Sequence, residues 1–339
     1  LLDGAGTIRG LLERAKALQM TALALTDHGN LHGSLSFYQT AKGLGINPIL
    51  GLEAYIAPGS RFIKESTGSS KETNFHLTLL ARDAVGFRNL VKLSSAAFLE
   101  GFYFTPRIDK EILAAHKEGL ICLSGCVSSE LNRTVLAGGE ANMEKAREIV
   151  EWFQKVFGEN YYIELQNNGL EIQRVAMEGS VDVANRLGVP MVATSDVHYI
   201  SRDDSEAQDI LLCVNTGKFR TDTNRMRMET NEFYLRSPED MYAAFPGMED
   251  ALRRTQEIAD SVHIELELGK RHFPVYTPPE GKTPEEFLLE LCIAGLKDRY
   301  ADRPDRYADG KFSDEVTARL ERELGVINKL GFANYFLIV

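Results

Sequence analysis

Six short, continuously apolar runs punctuate the first 200 residues, and most are separated by helical patterns. They read ALALTD (22–27), INPILGLEAYI (46–56), FHLTLLA (75–81), LICLSG (120–125), YYIELQ (161–166) and PMVATSD (190–196). A strand apolar on both faces must be covered on both faces, which is the habit of parallel sheets wrapped by helices. The intervening segments supply those helices. Thr7 stands as an N-cap before Ile8, Leu11, Leu12, Ala15 and Leu18 at helical spacing. Further helical patterns cover 34–44, 83–98, 128–157 and the stretch up to Leu187. Only 57–74, rich in Ser, Lys, Glu, Gly and Thr, reads as a mobile loop. Six or seven such units predict an α/β chain whose parallel strands form a closed or nearly closed barrel. The alternative is an open doubly wound sheet, but neither GxGxxG nor GxxxxGK[ST] occurs to cradle a phosphate in one.

The texture changes after about Leu268. FPVYTPPEGKTP (273–284) carries four prolines and reads as a linker, followed by helical patterns at 285–300 and 313–330. The expected organisation is therefore a domain over 1–270, a linker over 271–284 and a second region over 285–339. The abrupt opening Leu1-Leu2-Asp3 and the closing apolar run NYFLIV suggest a fragment of something longer. No apolar run approaches the roughly 20 residues of a membrane span. A net charge of −11 argues against a surface built to grip phosphate backbones and suits a metal site or a protein-docking surface better. Four cysteines without a CxxC pair point to a reducing, cytoplasmic compartment.

The chemistry-bearing residues gather where strands end. Asp27 and His28 follow ALALT, Glu53 lies near the end of the second run, Cys126 follows LICLSG, and Asp196 and His198 follow PMVATS. Taken singly, a strand-end Asp is more often a helix cap and a buried Cys a small core residue. Taken together, four strands ending in metal-ligand types point to the face where βα enzymes place their chemistry. His76 fits less well, because it opens its strand instead of ending it.

Several segments carry a resemblance. LLDGAGTI, LTDHGNLHG, GLEAYIAPG, FHLTLLARD, FLEGFYFTPRID, LSGC, TSDVHY and ELGVINKLGFANYFLIV resemble the front of the bacterial replicative DNA polymerase III alpha subunits, in order and from end to end. The resemblance implies a PHP (polymerase and histidinol phosphatase) domain, a distorted (βα)7 barrel, over 1 to about 270. It implies the mostly helical beginning of a polymerase palm from about 285. Carried over residue by residue, it implies that Asp3, His28, Glu53, His76, Cys126, Asp196 and His198 are metal ligands. Asp3, His28 and His198 would share one ion, and Glu53, His76 and Cys126 a second. Glu53 and Asp196 would hold a third with a His-x-His pair that the family places before the LLDG stretch, on a first strand this sequence does not contain. Asp196, His198 and Glu53 form the implied catalytic set.

Imidazole, carboxylate and thiolate together suit Zn²⁺, with Mn²⁺ or Fe²⁺ as alternatives, and the family pattern allows up to three ions. The implied reaction is phosphoester hydrolysis, including trimming of DNA 3′ ends in the manner of a 3′–5′ exonuclease. Arg107 and Tyr103, in GFYFTPRID, are candidate phosphate contacts, with a structural role the weightier reading of Arg107. RTDTNRMRM (220–228) is a basic loop whose plainer reading is a solvated turn, and His32 is expected to pack or cap near the site. The resemblance further implies replicase partners, including a proofreading exonuclease subunit, contact with DNA through the complete protein, and Mg²⁺ at a polymerase site beyond these residues. Two other readings stand beside the hydrolytic one. One is an idle scaffold that stabilises the polymerase and docks that exonuclease subunit; the other is a stand-alone histidinol-phosphatase-like enzyme.

Overall fold

The computed structural model describes residues 3–64, 74–270, 274–279 and 281–339. The chain divides into two compact units, Leu1–Leu266 and Glu267–Val339.

In the first unit, β1 (Ala22–Leu25), β2 (Asn47–Ile56), β3 (Phe75–Ala81), β4 (Arg107–Ile108), β5 (Leu120–Leu123), β6 (Tyr161–Gln166) and β7 (Met191–Thr194) form one sheet. Its order is β1-β2-β3-β5-β6-β7, with β4 attached to β2. The helices are α1 (Ile8–Ala17), α2 (Ser34–Leu44), α3 (Ala84–Leu99), α4 (Lys110–Ala115), α5 (Glu130–Leu136), α6 (Glu140–Phe157), α7 (Glu171–Leu187), α8 (Ser205–Thr216), α9 (Pro238–Ala244) and α10 (Glu249–Ser261). Local signals set their ends. The Thr7 side chain accepts from Gly10 N at the start of α1, Asp83 caps α3, and Ser129 caps α5 through Asn132 N.

The expected all-parallel series is corrected at one strand. Pairs β1–β2, β5–β6 and β6–β7 are parallel, but β3 runs antiparallel to both β2 and β5. The physical reason is the connection. A parallel partner needs a crossover, usually helical, whereas the segment between β2 and β3 carries no helical sequence pattern. The sheet curls without closing, leaving β1 and β7 as its edges. Helix α10 lies along that open side: Arg254 Nη1 donates to Met191 O on β7 at 2.7 Å, and Gln256 Nε2 reaches Thr21 Oγ1, just before β1, at 3.4 Å. Leu50, Leu52, Leu79, Ile121, Ile163 and Val192, from five strands, are at most 2% exposed and form the centre of the core.

The second unit contains α11 (Pro284–Arg299), the small hairpin β8 (Tyr307–Ala308) and β9 (Lys311–Phe312), α12 (Asp314–Lys329) and α13 (Ala333–Ile338). Thr283 and Glu286 form a capping box at the start of α11, and Leu288, Leu324 and Ala333 form its small core. The terminal apolar run is helical, and the hairpin lies in the charged insert between the two longer helices. Of the segment read as a mobile loop, 65–73 lies outside the described residues, as do 271–273 and 280 of the linker and Leu1 and Leu2 of the LLDG stretch. Among the described residues, no helix is long and apolar enough to cross a membrane.

Candidate metal centre

The ligand-bearing segments meet at one rim of the curled sheet. Beyond β1 the chain continues beside β2, where Glu53 N donates to Asp27 O and Gly29 N donates to Glu53 O, so His28 lies opposite Glu53. Gly29 has φ +68°, and a Cβ there would come within 2.8 Å of Tyr55 and Pro106, so the turn needs glycine. The Asn30 side chain fixes that turn, donating to His28 O and accepting from His32 N. The reversal of β3 brings its first residues to the same rim, and His76 pairs in register with Tyr55. Cys126 follows β5 in a turn whose carbonyls, Gly125 O and Cys126 O, accept from the Asn132 side chain. After β7, Asp196 has a positive φ of 47°. His198 N donates to Phe233 O, and His198 O accepts from Ala5 N at 2.7 Å, which draws the start of the chain to the site.

Two clusters result. Asp3, His28 and His198 offer one ligand atom each within 4.8 Å of one another, and so do Glu53, His76 and Cys126. In the first, His28 Nε2 is 3.2 Å from Asp3 Oδ1, and His198 Nε2 is 3.6 Å from Asp3 Oδ2. In the second, His76 Nδ1 is 2.6 Å from Glu53 Oε1 and 3.4 Å from Cys126 Sγ. His28 also joins the clusters, its Nδ1 lying 2.9 Å from Glu53 Oε2.

These spacings suit a bound ion. Ligands about 2.1 Å from a tetrahedral ion lie roughly 3.4 Å apart. His28 Nδ1 is buried and makes no aligned hydrogen bond despite its short approach to Glu53. The donor set of three imidazoles, two carboxylates and a thiol fits Zn²⁺, Mn²⁺ or Fe²⁺.

The clustered groups shift one another's proton affinities. The close contacts with Asp3 and then Glu53 outweigh burial and carry His28 up to about 11. Burial pulls His198 down, but the bond to Asp3 and the charge of Asp196 lift it to about 9. Burial would raise Glu53 and Asp3, yet their histidine partners hold both carboxyls well below the usual range. The Cys126 thiol has no such support; burial, then the charge of Glu53, push it well above its ordinary value.

Asp196 falls outside both clusters. Burial raises its carboxyl, and its Oδ1 lies 3.8 Å from His198 Nδ1, which is closer, at 2.9 Å, to Asp196's own carbonyl. Asp27 also stays outside them. Arg107 does not fit a phosphate contact. It is 2% exposed, and its guanidinium donates to Gly101 O at 3.0 Å, Ile63 O at 2.8 Å and Arg61 O at 3.4 Å. It braces the loops, with Tyr103 packed over it. In the basic loop, Arg225 bonds Asp209 and Arg220 bonds Glu206, so those charges are met within the chain. The sequence reading overlooked Glu164, a buried carboxylate on β6. Its only signal was an acidic residue inside the apolar run YYIELQ.

Residues 1–168 match the family model described as the PHP domain, and residues 286–339 match the one described as the bacterial DNA polymerase III alpha NTPase domain. The whole chain aligns at 42% identity with DNA polymerase III subunit alpha of Borreliella burgdorferi and of Treponema pallidum, covering 29% and 28% of those proteins. The same subunit of Thermus aquaticus aligns at 36% identity, over 100% of this chain and 32% of its own length. The chain thus spans under a third of the length of the curated relatives it matches.

Proposed function

Because the chain belongs to the PHP domain family, in the version found at the front of bacterial DNA polymerase III alpha subunits, we propose that its rim centre hydrolyses phosphoesters, including 3′ termini of DNA. The single observation that carries this reading is the pair of ligand clusters joined by the His28–Glu53 contact. Asp3, His28 and His198 would hold one divalent ion and Glu53, His76 and Cys126 a second, with Zn²⁺ the first choice. Such ions would supply an acidified water and positive charge opposite the phosphoryl oxygens.

The chain's own residues do the rest. Asp3 and Glu53 are ionised at neutral pH and offer anionic oxygens to a cation once their histidine partners shed their protons. The carbonyl of Asp196 fixes the His198 ring through Nδ1, leaving Nε2 turned toward Asp3. Asp196, whose burial raises its affinity for a proton, is the residue best suited to accept one at the rim. The third ion, shared by Glu53 and Asp196 with further histidines, remains part of this proposal. So do nucleotide polymerisation by the complete protein at a separate Mg²⁺ site, contact with DNA, assembly with replicase subunits and a cytoplasmic setting.

One observation favours a second role, docking of a proofreading exonuclease subunit. Phe62, Phe98, Leu99, Phe102 and Phe104 are all exposed, with Leu99 at 84% and Phe104 at 79%. Large exposed apolar residues gathered near one another mark interaction surfaces. The two roles separate in one experiment. Wild type and His198→Ala are loaded with Zn²⁺ or Mn²⁺ and given a p-nitrophenyl phosphoester and a 3′-labelled single-stranded oligonucleotide. Hydrolysis by wild type and its loss in the variant support the enzyme. Stoichiometric metal with no hydrolysis of either substrate refutes it and leaves the scaffold.

A further inference from the structure

Glu164 is 5% exposed on β6, beside the edge strand β7, and nothing in the hydrolytic reading uses it. Its carboxylate receives four donors, two on each oxygen. Oε2 accepts from Thr78 Oγ1 at 2.9 Å and from Gly125 N at 3.2 Å. Oε1 accepts from Thr194 Oγ1 at 2.6 Å and from Gln166 Nε2 at 3.3 Å. An ionised carboxylate has about four lone-pair sites, so the group is saturated. Three of the donors sit beside ligands: Thr78 is two residues from His76, Gly125 adjoins Cys126, and Thr194 is two residues before Asp196.

The same strand also holds the Cys126 turn through its backbone. Glu164 N donates to Ser124 Oγ at 2.9 Å, and Ser124 N donates to Tyr162 O. Gly125, at φ +88°, lies so close to β3 that a Cβ would stand 2.6 Å from His76 O. Cys126 and His76 therefore keep their 3.4 Å approach only while this turn is seated against β3.

We infer that Glu164 is the positioning residue of the centre: one buried carboxylate that ties β3, the turn after β5 and β7 together, and so aligns Cys126 with His76 and Asp196 with the rim. This deepens the metal-centre reading and rests on it for the effect on affinity, although the seating of Cys126 can be tested without metal. Outer ligand partners of this kind are worth about 10–100-fold in metal affinity. The substitutions sort the contributions. Glu164→Gln can keep one oxygen on Thr78 and Gly125 N while its amide faces Thr194 and Gln166, so it removes the charge and spares the seat. Glu164→Ala removes both.

The full chain is tested in two ways. Zn²⁺ affinity is measured by competition with a chelator, and alkylation of Cys126 in metal-free protein is followed by peptide mass spectrometry. Cys122, fully buried in the core, serves as the folding control. Glu164→Ala is expected to lose about 10–100-fold in affinity and to alkylate at Cys126 several-fold faster, with Cys122 still protected. Glu164→Gln is expected to keep the wild-type alkylation rate and to lose about tenfold in affinity. If Glu164→Ala exposes Cys122 as well, Thr78→Val with Thr194→Val carries the test and must speed Cys126 alkylation. Wild-type Cys126 rates in Glu164→Ala, or in that double variant where it is needed, overturn the inference. Should wild type itself bind no metal, the metal-centre reading fails, while the alkylation rates still decide the role of Glu164.

Discussion

Glu53→Gln tests the shared carboxylate at the point where both clusters meet. In metal-free protein the substitution removes the negative charge and replaces with an amide one of the two oxygens, Oε1 lying 2.6 Å from His76 Nδ1 and Oε2 lying 2.9 Å from His28 Nδ1. Removing one member of a buried ion pair costs about 3–5 kcal/mol, and because His28 keeps Asp3 the lower end, about 3 kcal/mol, applies. The pH dependence follows from the shifts. The folded pKa of His28, about 11, lies above its ordinary 6.5, so its stabilisation is complete below pH 6.5 and is lost as pH rises through about 11. Glu53 is shifted the other way. Its contribution is present above its ordinary value of 4.5 and is lost as pH falls through the depressed one. The metal-free deficit of the variant should therefore be largest between these ordinary values and should shrink toward pH 10. Metal binding has the opposite dependence, because ligands must shed protons to coordinate. Urea unfolding of both proteins near pH 6 and near pH 10, with and without Zn²⁺, reads both trends. A metal-free deficit under about 1 kcal/mol near pH 6, or one that grows with pH, would refute the argument.

Gly125→Ala places a Cβ 2.6 Å from His76 O at φ +88°. It should cost at least about 2 kcal/mol in thermal unfolding and lower metal uptake; an unchanged melting temperature would contradict the close approach. Arg107→Met leaves three carbonyl oxygens without their donor, so it should destabilise by about 2–4 kcal/mol while KM for a phosphoester stays put. A raised KM at wild-type stability would return Arg107 to the substrate. Residues 1–339 alone should not extend a primed template, and template-directed incorporation by the purified chain would show polymerase carboxylates within these residues.

His76 shows how position in the sequence can mislead on geometry. It opens its run, so a parallel reading sends it to the far end of the sheet. The connection from β2 carries no helical sequence pattern, β3 runs reversed, and the start of a reversed strand arrives where its neighbours finish. Glu53, Cys126 and His198 needed no such correction, because strand-end position alone puts them on the rim. Asp3 was legible only through the family resemblance, since Ala5 reaches His198 through a backbone bond that no side-chain pattern records. Glu164 was hidden for another reason. An acidic residue inside an apolar strand gives no hint of its partners, and these come from β3, the turn after β5 and β7, which meet only after the sheet forms.

The union of Asp3 and His198 at one cluster also bears on how the chain folds. These residues lie almost two hundred positions apart, and an ion held by both would close about three-quarters of the first unit into a single ring. In a chain-entropy picture, a cross-link over a loop of that length removes about 5 kcal/mol of disorder from the unfolded ensemble, if it persists there. The antiparallel β2–β3 pair, by contrast, joins residues close in sequence and can form early. Glu53 and His76 would then meet before Asp3 and His198 do, so half of the centre is assembled locally and the other half only when the two ends of the sheet have been brought round.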